Sequence, residues 1–238
     1  MHVPSTWVRN GFAAALCGVF LSATSSFAAL ISWADWTAAT AGLPGSASAT
    51  ITLPDASTIG VSYAGEVRAG LTRINNSYPS WLPAATFSDG AAVNSAPPFG
   101  DLVGIIGGAP STNTITFSTA VTDPVMAIWS LGQPGAAASF VFTNATPTFV
   151  SGGPSQEFNG QAITLSGNTV NGAEGNGVVQ FHGTFTSLSW TNPSAENYYG
   201  FTLGVAGRGL VPEPGTYAML LAGLAVVVLL GRTKASFA

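Results

Sequence analysis

Short segments rich in β-branched and aromatic residues recur between residues 49 and 205, and Gly, Pro or Asn separates each from the next. In residues 58–63, for example, Ile59, Val61 and Tyr63 alternate with small or polar residues, which gives a strand one apolar face. No stretch between the segments has the apolar spacing of a crossover helix, so parallel α/β architecture is excluded. We predict an all-β fold, an antiparallel β-sandwich or jelly roll. The predicted strands are 49–53, 58–63, 113–118, 125–131, 139–143, 146–150, 162–165, 177–181, 185–190 and 199–205.

Two stretches lack this alternation. Residues 65–110 contain several prolines and the turn pairs Asp89-Gly90 and Gly107-Gly108, so we expect long loops there with one or two strands. A loop region of this length inside a compact domain is usually functional or mobile. For residues 31–41 we predict a helical turn or two near the start of the mature protein.

The first 28 residues have the composition of an export signal. Arg9 gives a weakly positive start, and residues 11–21 form an apolar stretch that is too short to span a bilayer comfortably. Ser26 and Ala28 place small residues at the positions that signal peptidase requires, so we expect a signal helix that is removed after Ala28. Cys17, the only cysteine in the chain, is removed with it. The mature body is therefore expected to have no disulfide, thiolate metal site or cysteine nucleophile.

The C-terminal segment, residues 211–238, has a distinct order of features. Two prolines favour an extended backbone, which is the conformation that a protease cleft binds. An apolar run over residues 216–231 predicts a transmembrane helix, somewhat shorter than the ~20 residues that a bilayer requires. Basic residues after the run are retained in the cytoplasm. The motif residues are Val211, Pro212, Glu213 and Pro214, and the basic residues are Arg232 and Lys234.

This order of motif, apolar helix and basic end resembles the PEP-CTERM sorting signal of Gram-negative bacteria. The resemblance implies that an exosortase, a separate protein of the inner membrane, recognises and cleaves the motif at residues 211–214. It also implies export through the inner membrane, transient anchoring by the C-terminal helix, and a final location at the cell surface or outside the cell. A permanent membrane anchor is the alternative.

Between the two terminal segments, residues 29–210 have the length of a single β-sandwich domain. The whole chain has 10 acidic and 6 basic residues, and three of the basic ones, Arg9, Arg232 and Lys234, lie outside this body. The body is therefore acidic. An acidic surface repels phosphate backbones, so no nucleic-acid partner is expected.

The body also resembles a group of PEP-CTERM secreted proteins of proteobacteria. This resemblance covers roughly residues 110–205 and brings no catalytic motif. It implies a surface or matrix component of organisms that also make exopolysaccharide. The stretches that carry it are 113–118, 123–132, 172–181 and 189–193.

Side chains with catalytic or metal-binding chemistry are few in the body. His182 is its only histidine, and no Gly-x-Ser-x-Gly motif exposes a serine, so we expect no catalytic triad, no histidine metal cluster and no cofactor. Carboxylates remain as candidates for a glycosidase pair or a calcium site. The candidate groups are Asp89 with Asp101, and Glu157 with Glu174 and Glu196.

Aromatic residues suggest a binding function. Exposed flat rings stack on sugar faces, and neighbouring polar groups fix the hydroxyls. The alternative is that the rings fill the core, as expected for Trp129. We predict a non-catalytic protein that contacts exopolysaccharide through its loops, and the alternatives are a polysaccharide hydrolase and a purely structural matrix protein. The candidate contact residues are Tyr78, Trp81, Trp190, Tyr198 and Tyr199.

Overall fold

The computed structural model describes residues 30–207 and Leu221. The predicted signal helix, the motif at 211–214 and the predicted C-terminal helix lie outside the described residues. No helix within the described part is long and apolar enough to cross a membrane. One 3-10 turn covers Ala84–Thr86. The strands are β1 (Ile31–Thr40), β2 (Gly42–Thr52), β3 (Thr58–Val67), β4 (Val103–Ile105), β5 (Thr112–Thr122), β6 (Val125–Leu131), β7 (Ala138–Phe142), β8 (Pro147–Gly152), β9 (Gln161–Ala162), β10 (Thr164–Ser166), β11 (Thr169–Gly172), β12 (Gly175–Phe181), β13 (Thr184–Thr191) and β14 (Tyr199–Ala206).

Hydrogen bonds join these strands into one continuous sheet. The order is β10-β11-β7-β13-β5-β3-β2-β1-β14-β6-β12-β8, with β4 beside β14 and β9 beside β12. All described pairs are antiparallel except β9 with β12. The two ends of the path, β10 and β8, approach each other, so the sheet is nearly closed into a barrel. The prediction of an all-β antiparallel fold is confirmed, but the sheet is a nearly closed barrel where the sequence predicted a sandwich or jelly roll.

The strand β1 joins the two halves of the sheet, so the helical turn predicted for residues 31–41 is wrong. Residues 31–33 pair with β14 and residues 34–40 pair with β2. Ile31 packs in an outer cluster, whereas Ala34 and Trp36 face the main core. The buried face changes where the strand passes from one half to the other. The buried residues Ile31, Ala34 and Trp36 are therefore three and then two positions apart, and this spacing resembles the 3.6-residue period of a helix.

Aromatic rings from both halves fill the main core. Phe201 of β14 lies at the centre, with its ring edge-on to the rings of Trp190, Tyr63 and Trp36 at centroid distances of 5.1, 5.3 and 6.3 Å. Edge-to-face pairs of this kind add to the stability that burial of the rings provides. The core therefore ties β14 to β13, β3 and β1.

The proline-rich loops predicted for residues 65–110 cover the outer face of β6 and β12. Trp81, Phe87 and Leu102 pack there with Trp129 and other residues of the second cluster. Because loops cover one face of β6 and the main core covers the other, all residues of β6 are buried. A strand buried on both faces reads as a continuous apolar run, which explains why residues 125–131 show no alternation.

The barrel has two distinct ends. At the terminal end, the backbone N–H of Gly207 donates to the carbonyl of Leu30 at 2.9 Å, so the described chain begins and finishes at the same place. The turns at 53–57, 122–124, 143–146, 167–168 and 182–183 lie at this end. At the opposite, loop end, the connections include 106–111, 132–137, 153–160, 173–174 and 192–198.

Candidate functional site

Three of the predicted sugar-contacting residues are fully buried. Trp81, Trp190 and Tyr199 are each 0% exposed, so their rings are not available to a ligand, and the alternative that such rings fill the core holds for them. Trp190 and Tyr199 occupy inward positions of β13 and β14 in the main core. Trp81 lies in the outer cluster, edge-on to Phe87 at 5.2 Å.

The other two, Tyr78 and Tyr198, are partly exposed and lie together at the loop end. The Arg73 guanidinium lies over the Tyr78 ring, 3.2 Å from its centroid, and 5.0 Å from the Trp129 ring. Trp129 in turn contacts Tyr198, with 5.5 Å between ring centroids. A guanidinium on a ring face is a favourable cation–π contact, so Arg73 holds these rings in one arrangement.

Phe158 completes this group. Its centroid is 5.5 Å from that of Trp129 and 5.7 Å from that of Tyr198, and its side chain is 38% exposed. We call Tyr78, Tyr198 and Phe158, with Trp129 beneath them, the aromatic platform. No local pattern in the sequence points to Phe158 or Arg73, because the platform is assembled from four separate parts of the chain.

Three glutamates surround the platform. Tyr78 donates its hydroxyl hydrogen to Glu157, and Glu174 accepts a 2.6 Å hydrogen bond from Ser130 Oγ. Burial raises the pKa of Glu157, Glu174 and Glu196, and the charge of Glu174 adds to this rise at the other two. The structure therefore brings together the three glutamates that the sequence proposed as a group.

The second proposed carboxylate group has a different arrangement. Asp89 accepts hydrogen bonds from the backbone N–H groups of Ala91 and Val93 in its own loop. Asp101 is buried, and its pKa is raised to about 6 by burial and by the nearby charge of Asp35. The carboxylate that acts on Asp101 is therefore Asp35.

The backbone beside the platform is held in an uncommon conformation. Ser130, Asn159 and Glu174 have φ angles of 57°, 64° and 66°, in the left-handed region that non-glycine residues seldom adopt. The buried Asn176 side chain bonds all three: it accepts from Ser130 N at 2.8 Å and donates to the Asn159 and Glu174 carbonyls at 3.3 Å. One side chain thus fixes the loops that carry the site.

A shallow groove runs along these loops. Its lining combines an exposed ring, a carboxylate and side-chain and backbone amide groups, which are the contacts that sugars use. Within residues 30–207, no group of three or more His, Cys, Asp or Glu side chains could hold a metal ion. His182 lies at the terminal end, with Nδ1 3.9 Å from Asp123, and takes no part in the groove. The lining residues are Pro134, Phe158, Asn159, Gly160, Gln161, Ala173 and Glu174.

The C-terminal segment is similar to a known family of sequence motifs. Residues 210–235 match the family model described as the PEP-CTERM protein-sorting motif. The chain carries a PEP-CTERM sorting motif. The match includes residues 211–214, the apolar run, Arg232 and Lys234, so the resemblance read from the sequence is confirmed. This PEP-CTERM motif implies export, C-terminal membrane anchoring before cleavage, and processing by an exosortase.

Comparison of the PEP-CTERM chain with curated proteins and with solved structures returned no match. The family match covers the tail and not the barrel. The resemblance of residues 110–205 to secreted PEP-CTERM proteins therefore stays a prediction, and the role of the barrel has to be argued from its own site.

Proposed function

We propose that the barrel of this PEP-CTERM protein acts at the cell surface or in the extracellular matrix, where it binds exopolysaccharide without cleaving it. In this proposal the groove at the loop end is the binding site. The observation that carries the proposal is the exposed ring of Phe158, which lies against Tyr198 and shares the groove with Glu174. Ring faces receive the CH groups of a sugar, and the carboxylate accepts hydrogen bonds from its hydroxyls.

The charge of the site restricts the class of sugar. Arg73 is the one basic side chain beside the platform within the described residues, and it lies 3.9 Å from Glu157. Glu174 and Glu196 form no salt bridge among the residues that the structure describes. A polymer rich in uronic acids would place further negative charge here. We therefore expect neutral or amino sugars to bind better than uronates.

The binding test removes the ring of the groove, Phe158, and the platform ring that packs against it, Tyr198. Tyr198→Ala combined with Phe158→Ala should weaken binding to exopolysaccharide of the producing cells by about tenfold, because each lost ring contact contributes roughly 0.5–1.5 kcal/mol. Affinity electrophoresis in gels that contain the polysaccharide measures the change. Phe149→Ala is the matched control, since this ring of β8 is 49% exposed and lies outside the groove. Equal retardation of the double variant and the unchanged protein would contradict the assignment.

A hydrolase is the second candidate, and the raised pKa values of the three glutamates favour it. A general acid of a glycosidase must stay protonated near neutral pH. Release of reducing ends from the polysaccharide, lost in Glu174→Gln, would support hydrolysis over binding. Absence of both binding and hydrolysis would leave the purely structural role.

The sorting step has its own test. Pro212→Ala combined with Pro214→Ala should abolish processing, because the helix-forming replacements remove the extended backbone that a protease cleft requires. Intact-mass analysis of protein from medium and membranes should show a terminus near Pro214 for the unchanged chain and full-length protein for the variant. Pro98→Ala, an exposed proline of the outer loops, should be processed normally. Full-length protein in every sample would refute sorting by cleavage.

A further inference from the structure

The two ends of the described chain leave the barrel side by side. Gly207 donates to Leu30, and Ile31 and Ala206 are partners in the β1 and β14 ladder. A Cβ added at Gly207 would overlap the ring of Pro54, so the backbone at Gly207 lies close to the turn between β2 and β3. Gly207, which we call the tail root, is therefore held at the terminal end of the barrel, close to the turns at that end.

The candidate site lies at the other end of the same strand. β14 begins at Tyr199, next to Tyr198 of the aromatic platform, and ends at Ala206, next to the tail root. Its 8 residues correspond to about 26 Å at ~3.3 Å per residue. Platform and tail root are therefore separated by the full height of the barrel.

The chain between barrel and membrane is short. From Gly207 to the start of the apolar run at Thr216 the sequence can span about 30 Å if fully extended, and about 17 Å on average as a flexible coil. To bring the loop end down to the bilayer, this segment would have to run up the outside of the barrel. That path alone uses about 26 Å of the ~30 Å available, so it is open only to a nearly fully stretched linker.

We infer that the anchored PEP-CTERM protein faces the membrane surface with its terminal end and holds the loop end, with the groove, away from the lipid. The tether thus orients the barrel before cleavage. If the proposed binding function is correct, the groove is accessible to polysaccharide while the protein is still anchored. The inference itself rests on the anchoring tail and on the geometry of β14, and it does not require that sugars bind.

The test uses the full chain and places a single dye at one end of the barrel or at the other. In a Cys17→Ser background, Thr122→Cys at the terminal end or Ala137→Cys at the loop end gives a single thiol at an exposed position. Each labelled protein is reconstituted into vesicles of phosphatidylethanolamine and phosphatidylglycerol that contain a headgroup spin label. Quenching of the dye reports its proximity to the lipid surface. We expect at least threefold stronger quenching at position 122 than at position 137.

A linker variant provides the control. Insertion of 20 Gly and Ser residues after Gly207 should reduce the difference between the two positions, because the longer coil lets the barrel turn. Equal quenching at both positions of the original chain, in protein that floats with the vesicles, would overturn the inference and leave anchoring intact. Protein that does not float with the vesicles would overturn the inference and the anchoring together.

Discussion

Asn192→Ala should lower the free energy of unfolding by about 4 kcal/mol, because it leaves several buried polar groups without partners. Asn192 is 2% exposed. Its Oδ1 accepts hydrogen bonds from Trp190 Nε1 and Asn113 Nδ2, each at 2.9 Å, and its Nδ2 donates to the Ser139 carbonyl at 2.9 Å. Urea denaturation of the full chain in mild detergent, followed by tryptophan fluorescence, measures the loss.

Asn144→Ala is the matched control for this change. The Asn144 side chain also bonds the backbone, accepting from Ser189 N at 2.9 Å and donating to the Ser187 carbonyl at 3.1 Å. It is exposed, however, so water can replace both bonds, and we expect a loss of no more than about 1 kcal/mol. Equal losses for the two variants would show that burial of the Asn192 amide is not what stabilises the barrel.

Gly65→Ala should cost about 3 kcal/mol through the same buried network. A Cβ at Gly65 would overlap Asn113 Oδ1 and come within 2.7 Å of the Tyr63 hydroxyl. These two atoms are hydrogen-bonded to each other at 2.7 Å, and Glu66 N also donates to Asn113 Oδ1 at 2.9 Å. The added methyl group therefore forces the network apart as well as overpacking the core. Thermal denaturation followed by circular dichroism measures the effect.

Gly60→Ala is the control from the same strand, β3. A Cβ at Gly60 would lie 3.5 Å from the Ser118 side chain, which is ordinary van der Waals contact. Replacing glycine in a strand also reduces the entropy of the unfolded chain, so this variant should be neutral or more stable by about 0.5 kcal/mol. A melting temperature lowered equally by both substitutions would contradict the steric explanation.

Most strands could be predicted because one of their faces is in the core. In β14, Tyr199, Phe201, Leu203 and Val205 alternate with small or polar residues, and all four are buried. The helical turn predicted in place of β1 is wrong because the buried face of this strand changes as it passes between the two halves of the sheet. β11, with the sequence Thr-Val-Asn-Gly, was missed because a short strand with one apolar residue has no period to detect.

The candidate site was predicted less well, for two different reasons. The alternation of Trp190 with Leu188 in β13, and of Tyr199 with Phe201 in β14, is sufficient to predict that both rings are buried. Phe158 and Arg73 could not have been found, because they reach Trp129 only through long-range folding of the loops. The grouping of the glutamates succeeded because each follows or precedes a predicted strand at the same end.

The near closure of the sheet has a consequence for an exported protein. An open sheet exposes unpaired N–H and C=O groups along its outermost strands, and these recruit strands of neighbouring molecules into aggregates. Here the outermost strands are β10 and β8, with 3 and 6 residues, and they lie close to each other. Few unpaired backbone N–H and C=O groups are therefore available to pair with a neighbouring molecule. The protein can reach a high local concentration without forming fibres through its edge strands.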